Sequence, residues 1–154
     1  MRVSLFLRYN RYDLGFIFSA AAGAAMSIQG VMNTRLGEKA GIYEANAFVQ
    51  GTAFILSVLL MLTIGKGSIK NIASANKLYL LGGLLGILIT VFVMLGMGKL
   101  TPAIAVSTIL IAQLFTAALI DAFGFMGTEK IAFGWNKYCG LILMLAGVLL
   151  FKYK

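Results

Sequence analysis

Histidine is absent from the 154 residues, and cysteine, proline and tryptophan occur once each. Only five residues are acidic. Without histidine the chain has no ordinary general base, and no nucleophile–base pair can be assembled from what remains, so no enzyme chemistry is expected. A metal site would have to be built from five carboxylates and one thiol, so neither a metal nor another cofactor is expected. Cys139 lies within an apolar segment and has no second cysteine to pair with; it reads as a small packing residue. No ATP-binding loop occurs, so any active transport would draw on a gradient or a partner. Charge is also scarce. It makes up 12% of the residues, against roughly 25% in soluble domains.

What is present is hydrophobic, at 60% of the residues, and it comes in long runs. Residues 14–34, 45–65, 78–98 and 100–120 each contain no charged side chain. At about 1.5 Å per residue, each of these is about 31 Å long as a helix, close to the thickness of a hydrocarbon core. A fifth run, 134–151, is shorter and carries Lys137 near its start, where the ammonium can reach the headgroups. Lipid offers no partner to an unpaired backbone group, so the runs are expected to be helices. The expectation is an all-α integral membrane protein in one domain, 14–154, after a basic segment at 1–13. Its five transmembrane helices are placed at about 14–34, 45–65, 78–98, 100–121 and 134–151. The connections are 35–44, 66–77, 121–133 and a tight reversal near Lys99, with Pro102 in the first turn of the fourth helix. The N-terminus imitates a signal peptide, with Arg2, Arg8 and Arg11 ahead of an apolar stretch and small residues at 20–25. The apolar run continues past them, and a retained helix is expected.

The net charge of +8 sits between the runs. It reads as topology signal and affinity for anionic headgroups, with no nucleic-acid partner. With five spans, eight basic residues fall on the N-terminal side and five on the other. This is a weak bias towards a cytoplasmic N-terminus, and it permits insertion both ways.

Polar residues within the runs are the candidate substrate path. Gln29 and Asn33 share a face of the first helix, as Asn46 and Gln50 do on the second, while Gln113 and Thr116 lie in the fourth. Amides in hydrocarbon need partners, which are either each other, as contacts between helices, or water and solute in a cavity. Two acids at run ends, Asp121 and Glu44, are candidate ion or proton sites. Glu44 is also suited to a helix N-terminus, and Asp121 could pair with Lys130 or Lys137. Small residues repeat every four positions at Ser19, Gly23 and Ser27, and again at Gly82, Gly86 and Thr90; both faces read as helix packing.

The stretch Gln29-Gly30-Val31-Met32-Asn33-Thr34-Arg35-Leu36, with Ala45 and Gly51-Thr52 after it, resembles the YdcZ family of the drug/metabolite transporter superfamily. Gly82-Gly83-Leu84-Leu85-Gly86, Ala112-Gln113, residues 120–124 with Gly127, and residues 140–148 extend the resemblance over 14–151. The resemblance implies a multi-pass protein of the bacterial inner membrane, one half of a transporter bundle. It implies export of a small metabolite or amphipathic compound, and a partner half that is either an inverted second copy or a related half-size chain. Gln29, Asn33, Gln113 and Asp121 are the matching polar positions. The small multidrug transporters are similar in their last two helices but carry a glutamate in the first helix. Residues 20–28 here hold no carboxylate, which sets their proton-coupled mechanism apart. A non-transporting membrane scaffold and a passive channel are the alternatives.

Overall fold

A computed structural model describes the backbone of residues 2–132 and 134–152 and the side chains of 13–132 and 134–150. The side chains of Arg2, Arg8, Arg11, Lys152 and Lys154 therefore lie outside the described residues. The described chain is helical. It falls into two compact units, residues 1–98 and 99–154.

The first unit holds three helices. The first, α1 (Arg2–Ala40), runs six residues beyond the end of its apolar stretch at Thr34. Charge closes a hydrophobic run without stopping a helix. Arg35, Leu36, Glu38, Lys39 and Ala40 have good or fair helix propensity, and Arg35 pairs with Glu38 one turn on at 2.9 Å. The segment 35–44, expected as a connection, is therefore helix on both sides of one residue. Gly41 (φ 101°, ψ 146°) separates α1 from α2 (Ile42–Ile64). An L side chain rarely takes that conformation, so glycine is what permits a reversal this short. Its N–H donates to Gly37 O and its carbonyl accepts from Ala45 N, each at 3.0 Å, so neither backbone group is lost at the turn.

After Gly65 the chain forms two 3-10 segments, Ile69–Ser74 and Lys77–Leu81, before α3 (Gly82–Met97). Asn76 Oδ1 accepts from Leu78 N at 3.0 Å and tightens this entry turn, so the third apolar run starts as 3-10 helix where α-helix was expected from residue 78. In the second unit, α4 (Pro102–Phe123) begins on Thr101, whose hydroxyl accepts from Ile104 N at 3.5 Å, with proline in the first turn. It ends on Gly124 in the left-handed region (φ 68°), whose N–H donates to Ile120 O at 2.8 Å. A loop follows in which Ile131 N donates to Asp121 O at 2.8 Å, and then α5 (Trp135–Lys152).

Four helical stretches have the length and apolar character of membrane spans: Asp13–Ala40, Ile42–Ile64, Lys77–Met97 and Pro102–Phe123. The apolar part of α5, Trp135–Leu150, is shorter, at about 24 Å by the helical rise. Burial points to the same environment. Among the described residues the buried hydrophobic ones are Ala45, Met94, Met97, Ala105 and Ala118, while Phe16, Phe54, Leu62, Phe92, Ile142 and Leu150 are all exposed. A fold that leaves so much apolar side chain outward is covered by lipid or by other chains.

Candidate functional site

The polar residues of the first unit meet at its helix contacts. On α1 the buried stripe is Gly30, Asn33, Thr34 and Gly37. A Cβ at Gly30 would stand 2.7 Å from Met97 Cε and 3.1 Å from Val93 Cγ1. One at Gly37 would stand 3.3 Å from Met94 Sδ. These glycines thus let α1 approach α3 closely, and Asn33 and Thr34 lie between them in the stripe. Thr34 Oγ1 donates to Gly30 O at 2.8 Å, which satisfies its proton within the helix. Ser19, Gly23 and Ser27, expected as a packing face, are not part of this contact. Ser19 and Gly23 are exposed, a Cβ at Gly23 would meet nothing within 4 Å, and Ser27 Oγ donates to Gly23 O at 3.1 Å.

Gln50 and the Gly86–Thr90 face come together across α2 and α3. Gln50 Nε2 donates to Thr90 Oγ1 at 3.3 Å, and Thr90 Oγ1 donates to Gly86 O at 2.9 Å. A Cβ at Gly86 would lie 4.0 Å from Gln50 Nε2, an ordinary van der Waals distance. Gly82 has open space around it. Asn46 lies one turn before Gln50 and is buried, at 8% exposure, as are Asn33 at 8% and Thr34 at 7%. The Asn46 carbonyl, Oδ1, is covered and accepts no hydrogen bond. Gln29 is exposed although it is one turn from buried Asn33; the edge of the α1 contact runs between them.

In the second unit Gln113 and Thr116 are exposed on α4. Gln113 is eleven residues after Pro102 and ten before Phe123, at the helix midpoint. Between α4 and α5 runs a groove of about 470 Å³. Thr108, Ala112 and Phe115 line it from one side and Leu141, Leu145 and Val148 from the other, and Gln113 is not among its lining residues. Asp121 Oδ2 stands 3.8 Å from Lys137 Nζ, so the carboxylate at the end of α4 is matched by an ammonium in the first turn of α5. Of the two lysines considered from sequence, Lys137 is the one in ion-pair range. Glu44 is exposed, its carboxylate folded back over Gly41 at the start of α2, where the helix dipole favours it. Arg35 pairs with Glu38. Among the described residues no group of three or more His, Cys, Asp or Glu side chains could hold a metal ion, and Cys139 is free and exposed.

Three participants went unread in the sequence. Thr34 is a hydroxyl beside a candidate amide, and Gly30 and Gly37 are glycines seven apart that flank Asn33. Their spacing was the available signal. The model of the family described as "Putative inner membrane exporter, YdcZ" matches residues 14–150. No curated protein and no solved structure matches the chain.

Proposed function

Because the chain belongs to the YdcZ family of the drug/metabolite transporter superfamily, we propose that it is one half of a secondary transporter, exporting a small metabolite or an amphipathic compound across the inner membrane. The observation that carries this reading is Gln113, an exposed amide at the midpoint of a helix with the length and apolar character of a membrane span. Left in hydrocarbon, such an amide costs roughly 2–7 kcal/mol. Its own unit leaves it uncovered, so something polar outside that unit covers it, and the proposed cover is a second chain enclosing a solute path between the two halves. The second half is a copy of this chain in the opposite orientation or a related half-size chain. The weak charge bias permits either. Asn33 and Asn46 in the first unit, and Gln113 in the second, are each proposed as path residues of their own unit. Gln50 gives one of its N–H groups to Thr90, and Asp121 is paired with Lys137.

The test is reconstitution into proteoliposomes with a panel of metabolites and amphipathic cations. Substrate-dependent flux is expected from the native chain, and Gln113→Leu should abolish it while leaving insertion and elution behaviour intact. Normal flux in that variant removes Gln113 from the path. The Gln50–Thr90 contact favours a second reading, a membrane scaffold whose amides serve only as contacts between helices, and absence of flux from the native chain against the whole panel would leave that reading in place. The proposal also takes α5 as a fifth span, which puts the two termini on opposite sides of the membrane. Reporter fusions at Met1 and Lys154 should give opposite signals, and matching signals would reduce the count to four.

A further inference from the structure

We propose that the first unit carries a binding site for a neutral hydrogen-bond donor, with Asn46 Oδ1 as its acceptor. The buried polar side chains of the described chain are Asn33, Thr34 and Asn46; all belong to this unit, and none is ionisable. The hydroxyl donors close to the helix contacts are already committed, as is one amide N–H. The single hydroxyl proton of Thr34 goes to Gly30 O, that of Thr90 goes to Gly86 O, and Gln50 Nε2 gives a proton to Thr90. None of these protons goes to Asn46 Oδ1, which is covered by the fold and without a donor. A covered carbonyl left in that state is costly, and native structures keep such groups where something else completes them.

The surrounding charge selects the class of ligand. No charged side chain from residue 13 to residue 98 is buried, so none is enclosed with the buried amides to balance a cation or an anion there. A charged solute seated on Asn46 would lose its hydration with only dipoles in return, whereas an alcohol, polyol, amide or nucleoside exchanges one neutral hydrogen bond for another. The inference rests on the transporter reading for the origin of the solute. It narrows that reading to neutral compounds, away from amphipathic cations.

The experiment is equilibrium binding to the purified full-length chain in detergent. The neutral probes are erythritol, nicotinamide and uridine, and the charged ones are tetraphenylphosphonium and benzoate. At least one neutral probe should bind, tetraphenylphosphonium and benzoate should not, and Asn46→Leu should weaken the neutral probe at least tenfold with unchanged elution. Asn46→Ala gives the same readout should the leucine variant fail to fold. Binding of a charged probe alone, binding unaffected at Asn46, or no binding at all (the oxygen then holding only a water) each overturns the proposal. So does misfolding of both variants, which makes Asn46 a structural contact. Flux of a charged compound in proteoliposomes without neutral binding here sinks this inference and leaves transport standing, whereas neutral binding without flux does the reverse.

Discussion

The two units solve the same problem in opposite ways. In residues 1–98, three helices contact one another pairwise and turn polar and small residues inward: Gly30, Asn33, Thr34 and Gly37 from α1, Asn46 from α2. In residues 99–154, two helices meet along an apolar groove, and the amide of α4 points out of the unit. Three helices can enclose an axis and two cannot. The first unit thus buries Asn33, Thr34 and Asn46 within itself, while the second presents Gln113 to whatever lies beside it. A polar residue in a membrane helix is informative only once the number of helices around it is known.

The sharpest way to break this comparison is to overfill the first unit at its closest approach. Gly30→Leu should cost about 3 kcal/mol through overpacking against Met97 and Val93, seen as a lower melting temperature in detergent. Gly23→Leu, on the open side of the same helix, should leave the melting temperature unchanged; equal losses at the two sites would remove the assigned contact face. A smaller effect is expected at the link between α2 and α3. Gln50→Leu and Thr90→Val should each destabilise by roughly 0.6–1.7 kcal/mol, the scale of hydrogen bonds between membrane helices. The double variant should lose little more than either alone, and full additivity would mean that the two side chains do not depend on each other. The smallest effect belongs to the second unit. Asp121 and Lys137 are 42% and 30% exposed, so solvent weakens their pair. Asp121→Asn should cost less than about 1 kcal/mol, and the difference from the native protein should shrink in high salt.

Much of the helical architecture was legible because lipid imposes a simple condition: long uncharged runs become helices. The ends were less legible. Residues 35–40 look like a connection by charge and are helix by propensity, and 78–81 look like helix by hydrophobicity and adopt 3-10 geometry under the Asn76 side chain. The site was legible as a set of residue types but not as a set of roles. Asn46 and Gln50 are indistinguishable in the sequence; one is engaged and the other is not because Thr90, forty residues on, stands opposite Gln50. The regular small-residue repeat of α1 is Ser19, Gly23 and Ser27, yet the face that meets α3 carries Gly30 and Gly37. Which face meets α3 depends on the rotation of α1 about its axis, and no local pattern in α1 encodes that.

The one-residue turn at Gly41 has a mechanical consequence. Two successive Cα–Cα steps of about 3.8 Å are all that separate Ala40 from Ile42, so the adjoining ends of α1 and α2 are tethered like the two blades of a pair of tweezers. They cannot part by more than that reach, whatever else the protein does. Relative movement of these helices is confined to a pivot about residue 41, with the largest opening at the distant tips, towards Asp13 and Ile64. If this hairpin takes part in alternating access, the face of the membrane near Gly41 stays shut between α1 and α2, and the passage between them opens only on the other.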